Sequence, residues 1–597
     1  MGAVVACVLA LVFNARLRHP DSTVSVADPS TPPGSAAAGS PRANAPITSD
    51  SSWFTDITLD VSLVFRYANG AKDSMLLPEI MGAGVALFDF DNDDRLDLYF
   101  VNGNGAMPDV SRAPGTPNRL FRQNAEGKFV DVTERSGLGD TGYGMGVTIG
   151  DIDNDGFEDV FVTNLGPDRL YRNRGDGTFE DVTASARIDV DGWSASACFF
   201  DYDADGFLDL YVSRYLTWDA RKKCFAPDGR LTYCGPLAFP PVPDVLLHNN
   251  RDGAFTDVSD AARISSVSAA GLGVVCQDLN DDGRQDVYVA NDAYANQLWI
   301  NQGDGTFRDE AFERGAAYNL AGAPEAGMGV VAADFDNDGF PDLYMTHLAQ
   351  ESNTLYRSLG GDLGFNDVTS ETGLSWSSIP YTGFGVAAFD VELDGDLDIA
   401  VVNGRVKRGD LIPGAAVPPP WNVLAEPNLF YLNDGGGEFE TISGPVSEFV
   451  SPVEISRGLA IGDIDSDGDL DLVLTNIEGP ARLFRNDTPR KGHWLIVQPF
   501  DPRLRRVAVG ARVTLVSEGK RYVRTISAAM SYLSSCDPRA HFGIPNGQRV
   551  ERIEVDWPDG LREHFTPLPV DSSVKLIRGT GARDGKSDDL SVIKTGR

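Results

Sequence analysis

The sequence is poor in the residues that soft-metal sites and nucleic-acid surfaces require. Its 597 residues include six histidines and six cysteines, and none shows the spacing of a zinc or copper site. No Ser, His and Asp order typical of a hydrolase stands out, and no glycine-rich phosphate loop. The 51 basic residues are outnumbered by 87 acidic ones, and the net charge of −36 argues against nucleic acid as a partner. The sequence therefore predicts a protein without a catalytic motif.

The N-terminal apolar run is too short to cross a bilayer comfortably. It covers eleven residues, Ala3 to Phe13, and resembles the apolar region of a signal peptide. We predict a signal peptide or an uncleaved anchor over 1–18, and a disordered linker over the Ala-, Ser-, Pro- and Gly-rich stretch 19–50. We therefore expect an exported protein, either extracellular, periplasmic or at the cell surface, with membrane contact only through a possible anchor.

Three short patterns recur in fixed order between Trp53 and Asn486. An apolar stretch leads into an acidic loop seven times, first as GVALFDFDNDDRLDLYF from Gly84 and last as GLAIGDIDSDGDLDLVL from Gly458. A segment of NxLYxN type follows each loop, and a segment of FxDVT type follows six of them. Each unit thus offers four short strand-like segments separated by turn residues. This is typical of a four-stranded antiparallel blade.

One copy of the FxDVT pattern stands alone ahead of the first loop, as FTDIT from Phe54 to Thr58. It can supply the outer strand of the last blade, so that the two chain ends close a ring. An open solenoid would also repeat, but it would need capping units and would leave this segment without a partner. We therefore predict an all-β fold: a seven-bladed β-propeller over 51–489, a small β domain over 490–578 with hairpins near Gly519 and Gly560, and a disordered tail over 579–597.

Each acidic loop has the form DxDxDGxxD, with oxygen-bearing side chains at positions 1, 3, 5 and 9 and a backbone carbonyl available at position 7. Hard oxygen donors without Cys or His suit Ca²⁺. Position 6 is Gly in six loops, as a sharp turn requires, and Asp94 in the first. An EF-hand is excluded because position 12 is Phe100 or Val162 in the first two loops and the flanks are strands. We predict about seven structural Ca²⁺ ions, one in each loop.

The predicted ligands, with position 7 contributing its backbone carbonyl, are Asp89, Asp91, Asp93, Arg95 and Asp97; Asp151, Asp153, Asp155, Phe157 and Asp159; Asp201, Asp203, Asp205, Phe207 and Asp209; Asp278, Asn280, Asp282, Arg284 and Asp286; Asp334, Asp336, Asp338, Phe340 and Asp342; Asp390, Glu392, Asp394, Asp396 and Asp398; and Asp463, Asp465, Asp467, Asp469 and Asp471. Aspartates can also simply decorate polar turns. Seven loops in register weigh against that, because four carboxylates held together without a cation repel one another. The first loop, without the glycine, and the sixth, with its longer Glu392, depart most from the pattern.

The GxGV and DxDxDGxxDLYV patterns resemble the FG-GAP or VCBS repeat of integrin α-chain propellers and many bacterial surface proteins, over about 53–487. The segments HWLIVQ from His493, GARVTL from Gly510, YLSSCDPRAHFG from Tyr532 and VDWPDG from Val555 are similar to the ASPIC/UnbV domain. Together the two regions resemble the cartilage acidic protein class of secreted calcium-binding proteins. The resemblance implies extracellular calcium binding and adhesion-like roles, not a reaction.

The largest insertions, 103–117, 215–243 and 405–427, fall between the second and third strands of a blade. Because strands alternate in direction, they should project from the face opposite the acidic loops. We predict that a protein or glycan partner binds there; tolerated surface insertions are the alternative. One insertion contains Cys224 and Cys234, which predict a disulfide in an exported protein. The cations on these insertions are Arg221, Lys222, Lys223, Arg405, Lys407 and Arg408.

Two functions follow from these patterns. The first is a secreted or cell-surface calcium-binding propeller that acts as a non-enzymatic interaction or adhesion module. The alternative is a calcium-dependent extracellular polysaccharide-active enzyme, a lyase or a hydrolase, with acids or a Lys/Tyr/His set in the central channel. The sequence alone does not separate metal ligands from channel residues.

Overall fold

The computed structural model describes residues 52–71, 75–103, 116–442, 448–566 and 568–583, together with the backbone of 593–594. The predicted signal or anchor and the predicted linker lie outside these residues. Within them, seven four-stranded antiparallel sheets succeed one another from Phe54 to Asn486, and two further sheets follow. The prediction of an all-β propeller fold is confirmed.

The seven sheets are numbered here as blades 1 to 7, and their strands run outward from the innermost one. Blades 1 to 3 consist of Val85–Phe88, Asp97–Phe100, Arg119–Gln123 and Phe129–Asp131; Tyr143–Gly150, Asp159–Leu165, Arg169–Asn173 and Phe179–Asp181; and Ser194–Phe200, Asp209–Arg214, Val245–Asn249 and Phe255–Asp257. Blades 4 and 5 consist of Gly271–Gln277, Asp286–Asn291, Gln297–Asn301 and Phe307–Asp309; and Val330–Ala333, Asp342–Met345, Thr354–Ser358 and Phe365–Asp367. Blades 6 and 7 consist of Gly383–Phe389, Asp398–Asn403, Leu429–Asn433 and Phe439–Ile442; and Ser456–Gly462, Asp471–Asn476, Arg482–Asn486 and Phe54–Asp56.

The last blade closes the ring with a strand from the other end of the chain. Phe54–Asp56 pairs antiparallel with Arg482–Asn486, with Phe54 opposite Asn486. The innermost strands of neighbouring blades pack side by side around the ring, and that of blade 7 packs beside that of blade 1. The role predicted for the isolated FTDIT segment is therefore confirmed, and closure removes the exposed edges that an open array would have.

The innermost strands are buried on both faces because each blade is covered by its two neighbours. All eight residues of Tyr143–Gly150 and all seven of Ser456–Gly462 are buried. Such strands appear in the sequence as continuous runs of apolar and small residues instead of an alternating pattern. Glycine is needed where backbones approach closely: a Cβ on Gly84 would lie 1.7 Å from the carbonyl oxygen of Leu533 in the C-terminal part of the chain.

The C-terminal domain is a second β unit with its own apolar core, which includes Leu495, Val513, Phe542 and Ile553. The predicted hairpin near Gly519 is present, with Ser517 opposite Lys520. Residues 579–583, predicted to belong to a disordered tail, are ordered, since Ala582 pairs with His564, and most of 584–597 lies outside the described residues. One sheet contains Gly492–Asp501, Arg506–Val507, Ala540–Pro545, Ser572–Ile577 and Ile593–Lys594, and the other contains Arg512–Ser517, Lys520–Thr525, Val550–Asp556 and Arg562–Phe565.

The remaining elements are short. The α-helical turns are Pro78–Met81, Thr133–Ser136 and Ser375–Ser378; the 3₁₀ turns are Pro236–Ala238, Ile264–Ser266, Gly361–Leu363 and Trp421–Leu424; and two small ribbons pair Cys224–Phe225 with Leu231–Thr232 and Glu426–Pro427 with Val453–Glu454. In the part of the chain that the structure describes, no helix has the length and apolar character needed to cross a membrane.

Candidate metal centres

The seven acidic loops, numbered here by blade, connect the first and second strands of each blade. In blade 2, Asp151 follows the strand that ends at Gly150, and Asp159 begins the next strand. The glycine at position 6 has a positive φ in all six loops that contain it, for example +99° at Gly156, and Asp94 takes φ +63° in loop 1. These left-handed residues curl the loop so that its carboxylates turn inward.

A second left-handed residue occurs at position 4 of every loop, which the sequence pattern did not indicate. Three of these residues also join neighbouring loops, because Asn92 donates to the carbonyl of Gly156 at 2.9 Å, Asn154 to that of Gly206 at 3.1 Å and Asn337 to Asp396 at 2.8 Å. Asn at three of the seven positions was the available signal, since Asn tolerates a positive φ. The residues with φ between +55° and +64° are Asn92, Asn154, Ala204, Asp281, Asn337, Leu393 and Ser466.

The carboxylate at position 1 organises the backbone of its loop. In loop 2, Asp151 accepts the N–H of Asp155 at 3.2 Å through one oxygen and that of Gly156 at 2.9 Å through the other. Asp155 in turn accepts the N–H of Phe157 at 3.0 Å. The same hydrogen bonds to position 1 occur in all seven loops. The protein's own hydrogen bonds therefore hold the loop backbone in this conformation.

The aspartate at position 9 is at most 1% exposed in every loop. Asp159 is 1% exposed and accepts the N–H groups of Ile152 at 2.9 Å and Asn173 at 2.7 Å. Burial raises its pKa well above the usual value for aspartate, and the pKa of its counterpart Asp97 is raised to about 8, with burial the largest cause. Such a group is costly to ionise unless a cation lies beside it.

Carboxylate oxygens from different loop positions converge within 4.8 Å of one another. Positions 1, 3 and 9 meet in loops 1, 2 and 3, and positions 1, 3 and 5 meet in loop 5. At position 3, one buried oxygen lacks a hydrogen-bond partner among the described residues in four loops: Asp91 Oδ1, Asp153 Oδ1, Asn280 Oδ1 and Glu392 Oε2. A set of buried oxygen donors with unused lone pairs fits a hard divalent cation.

Cationic side chains lie beside several loops and differ from blade to blade. Arg122 pairs with Asp91 at 2.6 Å and with Asp93 at 2.8 Å, and Arg357 pairs with Asp336 at 3.1 Å. His248 takes the corresponding place in blade 3, where its Nδ1 lies 3.1 Å from Asp209. Lys491, after the last blade, pairs with Glu392 and Asp394 of loop 6. The seven loops therefore share one backbone conformation, but the basic side chains that lie beside them differ.

The position 7 residues, predicted to contribute carbonyls, have varied side-chain contacts. Arg95 pairs with Asp93, and Arg284 pairs with Asp282. Asp396 accepts a hydrogen bond from Asn337 at 2.8 Å, and Asp469 pairs with Arg490 at 2.8 Å. In loop 4, Asn280 donates to Asp282 at 2.9 Å. The side chain at position 7 is therefore not a common feature, which agrees with a role for its backbone only.

The C-terminal domain lies directly on the acidic loops, which sequence reasoning did not indicate. Arg506 donates to Asn154 of loop 2 at 2.9 Å and to the Gly206 carbonyl of loop 3 at 3.2 Å. Arg512 pairs with Asp281 of loop 4 at 2.5 Å and also donates to the Gly339 carbonyl of loop 5. His541 Nε2 lies 2.8 Å from the carbonyl of Gly468 in loop 7. One face of the propeller is thus occupied by the chain itself.

A segment of the same domain, residues 527–538, enters the centre of the ring; we call it the plug. Ser535 exchanges backbone hydrogen bonds with blade 1, accepting from Leu87 and donating to Val85, both at 3.0 Å. Ser531 pairs with Val330 of blade 5, at 2.8 and 3.2 Å. Further bonds reach blades 2, 3, 6 and 7, and Ala529 packs in an apolar cluster with blade 4. Tyr532, Leu533 and Cys536 are at most 1% exposed, so the plug fills this part of the channel.

The opposite end of the ring carries the insertions. Cys224 and Cys234 form a disulfide there, with their Cα atoms 5.2 Å apart. Tyr233 of this insertion and Arg408 and Trp421 of another line one small cleft with Met75, so insertions of blades 3 and 6 meet. Of the predicted cations, Arg221 pairs with Asp219 and Arg405 with Glu426, each at 2.9 Å, whereas Lys222, Lys223, Lys407 and Arg408 have exposed side chains. Most of the insertion 103–117 lies outside the described residues.

Two known families match parts of this fold. The FG-GAP-like repeat matches residues 89–162, 153–212 and 278–345, within blades 1 to 5, and the ASPIC and UnbV family matches 502–583. The chain therefore carries FG-GAP-like repeats in a propeller and an ASPIC and UnbV domain on its acidic-loop face. The predicted resemblance in both regions is confirmed.

Its relatives include cartilage acidic protein 1 of several vertebrates. The human protein is 26% identical over 541 residues, which cover 85% of this chain and 74% of the relative. The mouse protein is 28% identical over 316 residues, which cover 51% of this chain and 44% of the relative, so that match spans less than half of the mouse protein. The resemblance to the cartilage acidic protein class is thereby confirmed.

Similar solved structures are more distant. The lectin BP39L from Burkholderia pseudomallei has a TM-score of 0.41 and 13% identity, over 69% of this chain and 98% of its own. The rhamnogalacturonan lyase YesW has a TM-score of 0.35 and 11% identity, over 69% of this chain and 73% of its own. Both scores are below 0.5, so neither likeness indicates a ligand or a reaction for this chain.

Proposed function

We propose that the protein is an exported propeller that binds about seven structural Ca²⁺ ions and acts as a non-enzymatic interaction module. The proposal rests on the buried position 3 oxygens that have no hydrogen-bond partner, because each such atom lowers the stability of the fold by about 1–3 kcal/mol. A cation in the loop would satisfy them together with the carboxylates at positions 1, 5 and 9. Bound Ca²⁺ supplies positive charge and joins the two strands that flank each loop.

Calcium fits this donor set better than other common ions. The predicted side-chain ligands are oxygen donors, whereas zinc and copper sites are usually rich in Cys or His. Mg²⁺ keeps several waters and seldom occupies a site built from this many protein oxygens. Extracellular modules bind Ca²⁺ at about 10⁻⁴–10⁻³ M, which suits an exported protein. The FG-GAP-like repeats and the cartilage acidic protein relatives support export.

The metal content of the purified protein tests this proposal. We expect calcium titration and elemental analysis to give close to seven Ca²⁺ per chain. Replacing both Asp151 and Asp153 by Asn should remove one ion. The matched control is Asp176→Asn, an exposed aspartate of the same blade that lies outside the acidic loops. Tight zinc in place of calcium, or a protein that binds no metal, would overturn the proposal.

The channel contacts support a non-enzymatic role. An enzyme of the alternative kind would present its acids or its Lys/Tyr/His set in an open central channel. In this fold the plug occupies that space and bonds to the innermost strands. Incubation with a panel of polysaccharides, in calcium and in chelator, followed by mass spectrometry of the products, tests this point. We expect no cleavage products, and their appearance would favour the enzyme.

A partner would bind the face that carries the insertions, because the C-terminal domain already covers the acidic-loop face. Apolar side chains are exposed on the insertions, including Phe225 at 65% and Leu411 at 57%, beside the cations Lys222 and Lys407. Such a mixed apolar and cationic surface suits a protein or an anionic glycan. We expect Lys222→Glu with Lys407→Glu to weaken binding to matrix proteins or glycans, whereas Lys520→Glu on the C-terminal domain should not. Unchanged binding in the first variant would exclude this face.

A further inference from the structure

A cavity of about 660 Å³ lies between the C-terminal domain and the propeller, beside acidic loops 3, 4 and 5. Its walls come from both parts of the chain, with Asp278 and Asp334 on the propeller side and Arg524 and Trp557 on the domain side. Sites for small molecules usually have volumes of about 300–1,000 Å³ and lie at domain boundaries. The cavity is thus of a suitable size and in a suitable place for a small ligand.

Four residues that line the cavity each have one buried polar atom without a partner. Within the described part of the chain, Gln277 Nε2, Gln285 Oε1, Arg524 Nη2 and Trp557 Nε1 have no hydrogen-bond partner. Gln277 is 5% exposed and Trp557 is 2% exposed. Three of the four atoms are N–H donors, so donors outnumber acceptors among the unpaired atoms. A ligand rich in oxygen acceptors would match this surplus.

Arg524 differs from the other arginines of the wall. Its guanidinium donates to the carbonyls of His541 at 3.2 Å and Val523 at 2.8 Å, and its charge lies 5.4 Å from the ring centre of Phe542. No carboxylate lies within 4.0 Å of it among the described residues. A buried cation without a paired anion is costly. The other four arginines of the wall each pair with an aspartate: Arg284 with Asp282, Arg512 with Asp281, Arg539 with Asp537 and Arg562 with Asp556.

Calcium loading would strengthen this imbalance. The nearest compensation for Arg524 comes at longer range from Asp390 and Asp334, at position 1 of loops 6 and 5. If those carboxylates hold Ca²⁺, their charge is neutralised and the field at Arg524 becomes more positive. This step rests on the proposed function, and so does the preference for an anion, because Asp201, Asp278 and Asp334 also line the cavity. The unpaired donors and the cavity do not depend on bound metal.

We propose that this cavity binds a small organic anion that bears hydroxyl groups, of the sugar-acid type. Its carboxylate pairs with Arg524, one of its hydroxyl oxygens accepts from Nε2 of Gln277, and another hydroxyl donates to Oε1 of Gln285. A simple inorganic oxyanion would satisfy Arg524 but would fill only a small part of about 660 Å³. A neutral sugar would leave the guanidinium unpaired.

Isothermal titration calorimetry on the full chain, in saturating calcium, tests this assignment. The probes are glucuronate, sodium sulfate and the neutral methyl glucoside. We expect saturable glucuronate binding at least tenfold tighter than sulfate binding, and no binding of methyl glucoside. Arg524→Gln should weaken glucuronate binding at least tenfold. Arg549→Gln removes an exposed arginine of the same domain, outside the cavity, and should leave binding unchanged.

Several outcomes would overturn the proposal: no saturable binding of glucuronate, equal binding of the neutral sugar, or equal affinity in the Arg524 and Arg549 variants. Sulfate binding as tight as glucuronate binding would refute the sugar-acid assignment. If Arg524→Gln does not fold, a crystal soaked in selenate gives a second measurement, and the absence of an anomalous peak beside Arg524 would count against the site. Calcium content, measured on the same samples, reports on the proposed function separately.

Discussion

Removal of calcium should lower the melting temperature of the propeller by several degrees. With about 2 mM free Ca²⁺ and dissociation constants of about 10⁻⁴–10⁻³ M, mass action gives about 0.6–1.8 kcal/mol for each site. Seven independent sites would contribute about 4–13 kcal/mol. The structure describes about 510 residues, and at about 2.1 cal/mol/K per residue their unfolding entropy is about 1.1 kcal/mol/K. The expected shift is therefore about 4–12 °C.

Differential scanning calorimetry in 2 mM CaCl₂ and in chelator measures this shift. MgCl₂ at equal ionic strength is the control, and it should recover little of the loss because Mg²⁺ does not suit the loops. Elemental analysis must show that the chelated sample has lost its metal. The reasoning is refuted if the metal-free protein melts within about 1 °C of the calcium-loaded one, or if Mg²⁺ restores stability as well as Ca²⁺ does.

Three further results are expected. Chelation should accelerate amide hydrogen exchange in the plug, because its domain rests on the acidic loops; unchanged protection would show that docking is independent of metal. Gly84→Ala should destabilise the fold by about 2–3 kcal/mol in urea unfolding, since its Cβ would meet the Leu533 carbonyl, whereas Gly235→Ala, with open space around it, should not. His347 is buried and burial lowers its pKa to about 4, so the unfolded chain takes up a proton first as the pH falls below about 6.5. Stability should then drop by about 2 kcal/mol between pH 7 and pH 5, and a His347→Asn variant with the same slope would exclude this cause.

The blades were predictable because each depends on local spacing. Strand, loop and turn residues recur within every unit. Because six FxDVT segments follow the seven acidic loops and the seventh, FTDIT, precedes them, ring closure could be predicted from this count without any long-range information. The shape of the acidic loops was also accessible, since Gly156 and its counterparts occupy the place where the backbone needs a positive φ. The left-handed residue at position 4 was less accessible, because only three of the seven residues there are Asn, and Ala204 and Leu393 belong to types that seldom adopt a positive φ.

The plug could not be predicted from local patterns. Its contacts join Ser535 to Val85 and Leu533 to Val147, which are separated by hundreds of residues. Within 527–538 the residues other than Asp537 are small or apolar, and the segment belongs to no repeat. The one accessible signal was Gly84, but a glycine in an innermost strand can equally reflect crowding by the neighbouring blade. Sequence reasoning therefore placed a separate domain after the propeller instead of one inserted into its centre.

The position of this domain gives the acidic loops a second role, because the domain packs on them. A loop that only held an ion would need no contact outside its blade, yet Arg506 and Arg512 each bridge two neighbouring loops. These arginines contact backbone carbonyls and position 4 residues, not the inward-facing carboxylates at positions 1 and 9, so a cation and the domain can be held at the same time. The same face therefore serves assembly of the chain, and in our proposal a partner binds the insertions at the other end of the ring.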